Sequence, residues 1–307
     1  MNRILLLFIF ISTCSFGQKD LKPTKAGKYY PDGHGGKVYL PLGATSFADE
    51  VVSYTRGKPP AISSACDSVE ALGPPTFRGL AEGFVTLGCK GSLVLRFKDN
   101  SLVNIKGPDL YIFEVGSYIE STDLDISKDG KNWIQVGRIN GGKATVDIGD
   151  SVKAGEVFNY VRLTDAGDSC RGMWPGADID AVAAIGSGKL ISLKSAVLFN
   201  FDKSVLRPEA KLEFDKIIPE ILNNPGSQII IEGHTDSLGK AVYNEKLSYQ
   251  RALAVNNYLR GLLKKEKYEI YFYGYGARYP IASNVSKEGQ ELNRRVDVIV
   301  VPPVDQQ

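Results

Sequence analysis

Two hydrophobic rhythms divide this 307-residue chain, and the division constrains its fold more than any single motif. Between residues 37 and 186 the apolar residues come in short β-rich runs: SLVLRF, LYIFEV, LDISKDGKNWIQV, ATVDIG, NYVRLT and IDAVAAI. Turn clusters such as KDGK, NGGK and DAGD separate them, with Asp129-Gly130 where a hairpin turn belongs. Short strands with no long helix between them predict an all-β sandwich or jelly roll over 37–186. A transmembrane barrel needs longer strands, of about nine to eleven residues, with aromatic girdles.

The segment 187–195, SGKLISLKS, reads as a linker, and beyond it the period becomes helical. AVLFNF reads as a strand. In RPEAKLEFDKIIPEIL, Ala210, Phe214, Ile217, Ile218 and Ile221 recur at helical spacing. Pro208 suits the helix start, and Pro219 is expected to bend or end it. SQIIIEGH reads as a buried strand, and 242–263 as a second helix with Ala252, Val255, Leu259 and Leu262 on one face. YEIYFYGYG and RRVDVIVVP supply two more strands. The order β-α-β-α-β-β predicts a compact α/β domain over 196–302, so the chain is expected to be multi-domain.

The start, MNRILLLFIFISTCSFGQ, reads as a signal peptide over 1–17. Arg3 precedes an apolar core, and Ser15 and Gly17 supply small residues before Gln18. The apolar core, residues 4–11, makes about 12 Å of helix, against roughly 30 Å for a membrane span. Lipidation at Cys14 is the alternative to cleavage near Gly17, and Thr13 suits it poorly. Residues 18–36 read as a flexible tether, with His34 solvated. Export leaves Cys66, Cys89 and Cys170 in an oxidising compartment, enough for one disulfide and one spare thiol. Cys66 and Cys170 lie in loop-like stretches and are the favoured pair, while Cys89, in a strand-like run, reads as a small buried residue. A net charge of +2 is too small to make nucleic acid or an anionic membrane the main partner.

The stretch IIIEGHTDSLGKAVYNEKLSYQRALAV carries the chemistry. Asp236 follows a strand, while Asn244 and Arg251 lie seven residues apart on one helix face. Helical side chains lean toward the N-terminus, so the Arg251 guanidinium is carried back toward the loop and the free amides of the helix start. An acid on one wall and a planar cation on the other suit a zwitterion. Asp236 accepts from an ammonium, Arg251 forks onto a carboxylate, and Asn244 fixes orientation. The plainer reading is a surface salt bridge contributing about 0–1 kcal/mol.

Four stretches, LFNFDKSVLRPEA, IEGHTDSLGKAVYNEKLSYQRALAV, GYGARYPIASN and EGQELNRRVDV, together resemble the OmpA-like peptidoglycan-binding domain. The resemblance covers about 196–302. It implies noncovalent binding to the meso-diaminopimelate of peptidoglycan stem peptides, with Asp236 on the ammonium and Arg251 on the carboxylate. Asn244, Leu247 and Thr235 match positions that line the family's pocket. His234 matches a position that shapes the loop, and Asn293, Arg294 and Arg295 match the closing NRR. Ala277 stands where the family often has an acid.

GPDLYIFEVG, DLDISKDGKNWIQVG, FNYVRLTD and GADIDAVAAIG are similar to a bacterial cell-surface β-sandwich module of galactose-binding outline. Asp178 and Asp180 alternate on a strand, and with Asp49, Asp109 or Glu114 they offer the oxygen ligands of Ca²⁺. Acids in such loops also serve as turn formers. The expected function is non-enzymatic: a cell-envelope protein on the periplasmic side of the outer membrane, holding peptidoglycan and, through its sandwich, outer-membrane components or surface glycans. The alternative is a wall-anchored protein that binds or processes carbohydrate in the sandwich.

Overall fold

The computed structural model describes residues 27–76, 82–116, 120–140, 144–263 and 268–304. The expected signal peptide, Cys14 and residues 18–26 of the tether lie outside them. The first thirteen strands are β1 (Lys28–Pro31), β2 (Lys37–Leu40), β3 (Glu50–Thr55), β4 (Val85–Thr86), β5 (Ser92–Arg96), β6 (Asn100–Val103), β7 (Leu110–Glu114), β8 (Ser121–Ser127), β9 (Trp133–Asn140), β10 (Ala144–Val146), β11 (Val157–Phe158), β12 (Tyr160–Asp165) and β13 (Asp178–Ala184). Then come β14 (Ser187–Lys194), α1 (Ser195–Leu198), α2 (Ala210–Leu222), β15 (Gln228–Gly233), α3 (Ala241–Leu262), β16 (Glu269–Gly274), α4 (Lys287–Asn293) and β17 (Arg295–Val301).

Two antiparallel sheets pack together in the front half, ordered β3-β5-β12-β8-β9 and β10-β7-β13-β4. Leu93, Leu95, Leu124, Ile126, Val161 and Leu163 of the first share one core with Val85, Leu110, Ile112, Ile179 and Val182 of the second. Strand β12 shows the cause: Val161, Leu163 and Asp165 are buried while their alternates are part-exposed. The hairpin β8–β9 forms around Asp129, whose Oδ1 accepts the amides of Lys131 and Asn132 at 2.9 and 2.8 Å. Gly130 follows at φ 70°, a conformation glycine adopts without strain.

Three expectations change here. Residues 28–31 of the expected tether form β1, paired antiparallel with β2, because Tyr30 and Val38 pack on Phe47 and Phe113. The disulfide joins Cys89 to Cys170, with Cα atoms 5.0 Å apart, and Cys66 is the buried free thiol. Cys89 sits in a turn after β4, not in a strand, since Gly88, Lys90 and Gly91 break the run. Cys66 is instead packed with Ala61, Ala65 and Phe84.

The expected linker is also a strand. β14 pairs with β17 along six residues and with β6 of the front half at Ser187–Lys189. One six-stranded sheet, β11-β6-β14-β17-β15-β16, therefore runs through both halves. Ile191 and Leu193 face the helical side, and Leu190 packs on the other face. A Cβ on Gly188 would lie 2.2 Å from Ile299 Cγ2, so the glycine serves close sheet packing rather than slack. With β14 as first strand, AVLFNF becomes the helical turn α1 followed by an isolated bridge from Phe199 to Leu206.

The α/β unit otherwise follows the expected order. Ala210, Phe214, Ile217 and Ile221 of α2 are buried, and the helix continues past Pro219 to Leu222. Pro219 lies in the last turn, where its missing N–H removes one bond only. In α3, Ala252, Val255 and Leu259 are buried as expected, but Leu262 is exposed and Leu263, just past the helix, takes its place. Among the described residues no helix is long and apolar enough to cross a membrane.

Two glycines fix α3 on the sheet. A Cβ on Gly233, the last residue of β15, would lie 2.1 Å from the Ser248 carbonyl oxygen. One on Gly274, at the end of β16, would lie 2.3 Å from the Tyr249 amide nitrogen. Helix backbone cannot yield as a flexible side chain can. Gly233→Ala is expected to destabilise the chain by about 1–3 kcal/mol, read as a lower urea midpoint at unchanged slope.

Candidate ligand-binding site

The loop after β15 is tied at both ends. The His234 amide donates to Arg295 O at 2.9 Å and the Thr235 amide to Gly276 O at 2.9 Å. Thr235 Oγ1 donates to Asp236 O at 2.8 Å, and Asn244 Nδ2 donates to Asp236 O and Leu238 O at 3.2 and 2.8 Å. Asn244 thus spends its amide nitrogen on holding the loop. Leu247, one helical turn further, is buried beneath.

Asp236 is itself buried, and its carboxylate is partly engaged. Oδ1 accepts the Leu238 amide at 3.0 Å, and Oδ2 accepts Arg294 Nη1 at 2.5 Å. Arg251 is engaged elsewhere. Its Nε donates to Lys203 O at 3.0 Å, and its guanidinium lies 5.3 Å from the Phe199 ring centroid. No ion pair joins Asp236 to Arg251, and among the described residues neither Nη nitrogen of Arg251 donates to the protein. Burial lowers the Arg251 pKa from its ordinary value, and the nearby Asp202 carboxylate works against that shift. Asp202, at φ 57°, accepts the Tyr243 hydroxyl at 2.7 Å.

The five predicted residues therefore meet around one loop, but their partners went unforeseen. Arg294, half-exposed, is the immediate partner of Asp236; the NRR run was the available signal, though it does not say which arginine turns inward. Arg295 points the other way, to Asp297 at 2.8 Å. Asn293 takes the amides of Ile281 and Ala282 on Oδ1 and donates to Asn284, which in turn accepts the Ser237 amide. Lys203 and Phe199 act through a carbonyl and a ring face, which no charge pattern announces.

The calcium candidates do not converge. Asp49 accepts the Lys98 amide at 2.8 Å, Asp180 the Thr76 amide at 2.8 Å, and Asp178 the Thr86 hydroxyl. The register between β13 and β7 shifts between Ile179 and Ala181, which breaks the simple alternation expected of Asp178 and Asp180. Asp109 is fully buried and accepts the Ile105 and Ile148 amides. Among the described residues, clusters with metal-ligand spacing are Cys89–Asp165–Cys170, whose cysteines are bonded to each other, and Glu232–His234–Asp297.

The loop around Asp236 and Arg251, which stand on separate supports, sits at the sheet end of a domain of the α/β class. Residues 198–294 match the OmpA family. Outer membrane protein A of Bordetella avium is 38% identical over 135 residues, 41% of this chain and 68% of that protein. Outer membrane porin F of Pseudomonas aeruginosa is 32% identical over 138 residues, 45% of this chain and only 39% of the porin. The peptidoglycan-associated lipoprotein from Burkholderia pseudomallei is 25% identical, with 36% of this chain on 88% of that one at a TM-score of 0.31, so the assignment rests on the sequence matches. The chain belongs to the OmpA family, and its C-terminal unit is an OmpA-like peptidoglycan-binding domain. The β-rich front half carries no family assignment.

Asp178 offers a test of the front half. Burial pushes its carboxyl up to about 7, with the Thr86 hydroxyl opposing and Glu120 adding to the shift. A folded pKa above the unfolded value means stability is lost as pH rises from about 4 through 7. Asp178→Asn is expected to match wild type at pH 4 and to melt about 2–4 °C higher at pH 8. Calcium that raised the melting temperature of wild type and not of the variant would instead restore a metal role for Asp178.

Proposed function

We propose that the loop around Asp236 and Arg251 binds the diaminopimelate of peptidoglycan stem peptides, and that the protein is a non-enzymatic anchor in the cell envelope. The observation that carries this reading is the separation of the two charges. Asp236 is oriented by Leu238 and Arg294, while Arg251 is oriented by Lys203 and Phe199, with no ion pair between them. A salt bridge built for stability would bring the acid and the arginine together. Here Arg251 keeps both Nη nitrogens for a bidentate carboxylate, and Asp236 keeps lone pairs for an ammonium. Thr235, Asn244 and Leu247 complete the pocket by fixing the loop and closing its floor.

The relatives supply the setting. Family members of this kind are envelope proteins, and the domain's family role is peptidoglycan binding without chemistry on it. The continuous sheet extends the anchoring unit into the front half, so whatever that half holds is carried on the wall-bound body. Outer-membrane components and surface glycans are the partners this reading assigns to it. A single site of two charge-assisted contacts is weak, and repeated stem peptides on the polymer raise the effective concentration.

The test is co-sedimentation of the chain with diaminopimelate-containing peptidoglycan. Asp236→Ala or Arg251→Ala should each weaken binding roughly 10- to 150-fold, as expected for the loss of about 1.5–3 kcal/mol, with an unchanged circular dichroism spectrum. Arg251→Lys should bind nearly as poorly, because a point charge cannot form the fork. Wild-type sedimentation in all three variants would overturn the assignment.

A further inference from the structure

A cavity of about 300 Å³ lies between the two halves, behind the loop that carries Asp236. Arg96, Lys98, Lys128 and Tyr160 line it from the front half, and Glu232, His234, Arg295 and Asp297 from the α/β unit. At its base three ionisable side chains are more than nine-tenths buried: Glu232 at 8%, His234 at 1% and Asp297 at 4% exposure. Among the described residues Glu232 Oε1 and both ring nitrogens of His234 have no hydrogen-bond partner. Leaving such groups unmatched costs about 1–3 kcal/mol each, so the site is built for something else to meet them.

The geometry states what kind of thing. His234 Nε2 stands 3.5 Å from Asp297 Oδ2 and 3.8 Å from Glu232 Oε2, beyond hydrogen-bond distance yet close. A tetrahedral zinc ion about 2.1 Å from each ligand holds its donor atoms about 3.4 Å apart. The three donors converge to within 4.8 Å of one another. We propose that Glu232, His234 and Asp297 form a binding site for one divalent transition-metal ion, with zinc the closest match to the nitrogen and two carboxylates.

The surroundings fit a supported site. Asp297 accepts Arg295 Nε on Oδ2 at 2.8 Å and the Ser192 hydroxyl on Oδ1, which fixes the carboxylate and leaves the ion a second lone pair of Oδ2. Lys128 is matched by Glu156 at 3.3 Å. Over Glu232, Asp297, Arg295, Lys128 and Glu156 the base carries one net negative charge. A divalent ion turns this to one positive charge, and hydroxide or an incoming carboxylate in the open fourth position brings it to zero. The cavity has room for either. Glu232 lies in β15 and Asp297 in β17, with His234, Asp236 and Arg294 just beyond the strand ends, so the ion would brace the strands directly behind the peptidoglycan loop.

The experiment uses the full mature chain with any affinity tag removed, stripped by chelator, dialysed, and titrated calorimetrically with zinc chloride. Cobalt(II) serves as the spectroscopic probe. One zinc per chain is expected, together with the intense visible bands of tetrahedral cobalt and a rise in melting temperature with zinc. Glu232→Gln and Asp297→Asn should each weaken zinc binding at least tenfold, while Cys66→Ser should leave it unchanged. Folded wild-type protein that takes up no stoichiometric zinc, and so holds only water there, would overturn the proposal. So would binding that persists in both carboxylate variants or disappears in Cys66→Ser. The wild-type titration decides even if a variant fails to fold, and none of these outcomes depends on peptidoglycan binding.

Discussion

Helix α3 lies on the ends of β15 and β16 at a separation that only glycine permits, and the binding loop depends on that contact. Gly233 and Gly274 face the backbone of Ser248 and Tyr249, so helix and strand ends meet without intervening side chains. Close approach brings Ser248 Oγ to accept the Gly276 amide at 2.8 Å. It also carries Asn244 over the loop that it ties and Arg251 to the carbonyl of Lys203. One interval of backbone packing thereby sets the positions of both charges.

Holding those charges apart has an energetic logic. A buried carboxylate or guanidinium without partners is strongly disfavoured, and the simplest relief is for the two to pair. The fold prevents this by giving each a partner of its own. Arg294 and the Leu238 amide satisfy Asp236 from one side; a carbonyl and an aromatic face satisfy Arg251 from the other. Each group then keeps hydrogen-bonding capacity that a direct pair would have consumed.

The six-stranded sheet adds a mechanical consequence. Because β14 bonds to β6 as well as to β17, the two halves are joined by backbone hydrogen bonds rather than by a free segment. The cavity with its buried Glu232, His234 and Asp297 lies at that junction, beneath strands that also carry the binding loop. Backbone pairing therefore links the front half through β14 and β17 to β15, at whose ends Asp236 and Arg294 stand.

Sequence alone was sufficient for the local terms. Period-2 runs and turn glycines announced the β-rich half, and helical spacing announced α2 and most of α3. The string from Glu232 to Arg251 announced the acid, the asparagine and the arginine, because those groups sit at spacings fixed by one strand, one loop and one helix. Tertiary structure decided whatever depends on a neighbour distant in the chain. It made a strand of a glycine-rich segment once β6 and β17 flanked it, paired Cys89 with Cys170 across a separation of 81 residues, and scattered Asp49, Asp178 and Asp180 onto separate amide and hydroxyl partners. It also chose Arg294 over Arg295 for Asp236, since adjacent residues entering a strand point to opposite faces and only the packed sheet determines which face meets the loop.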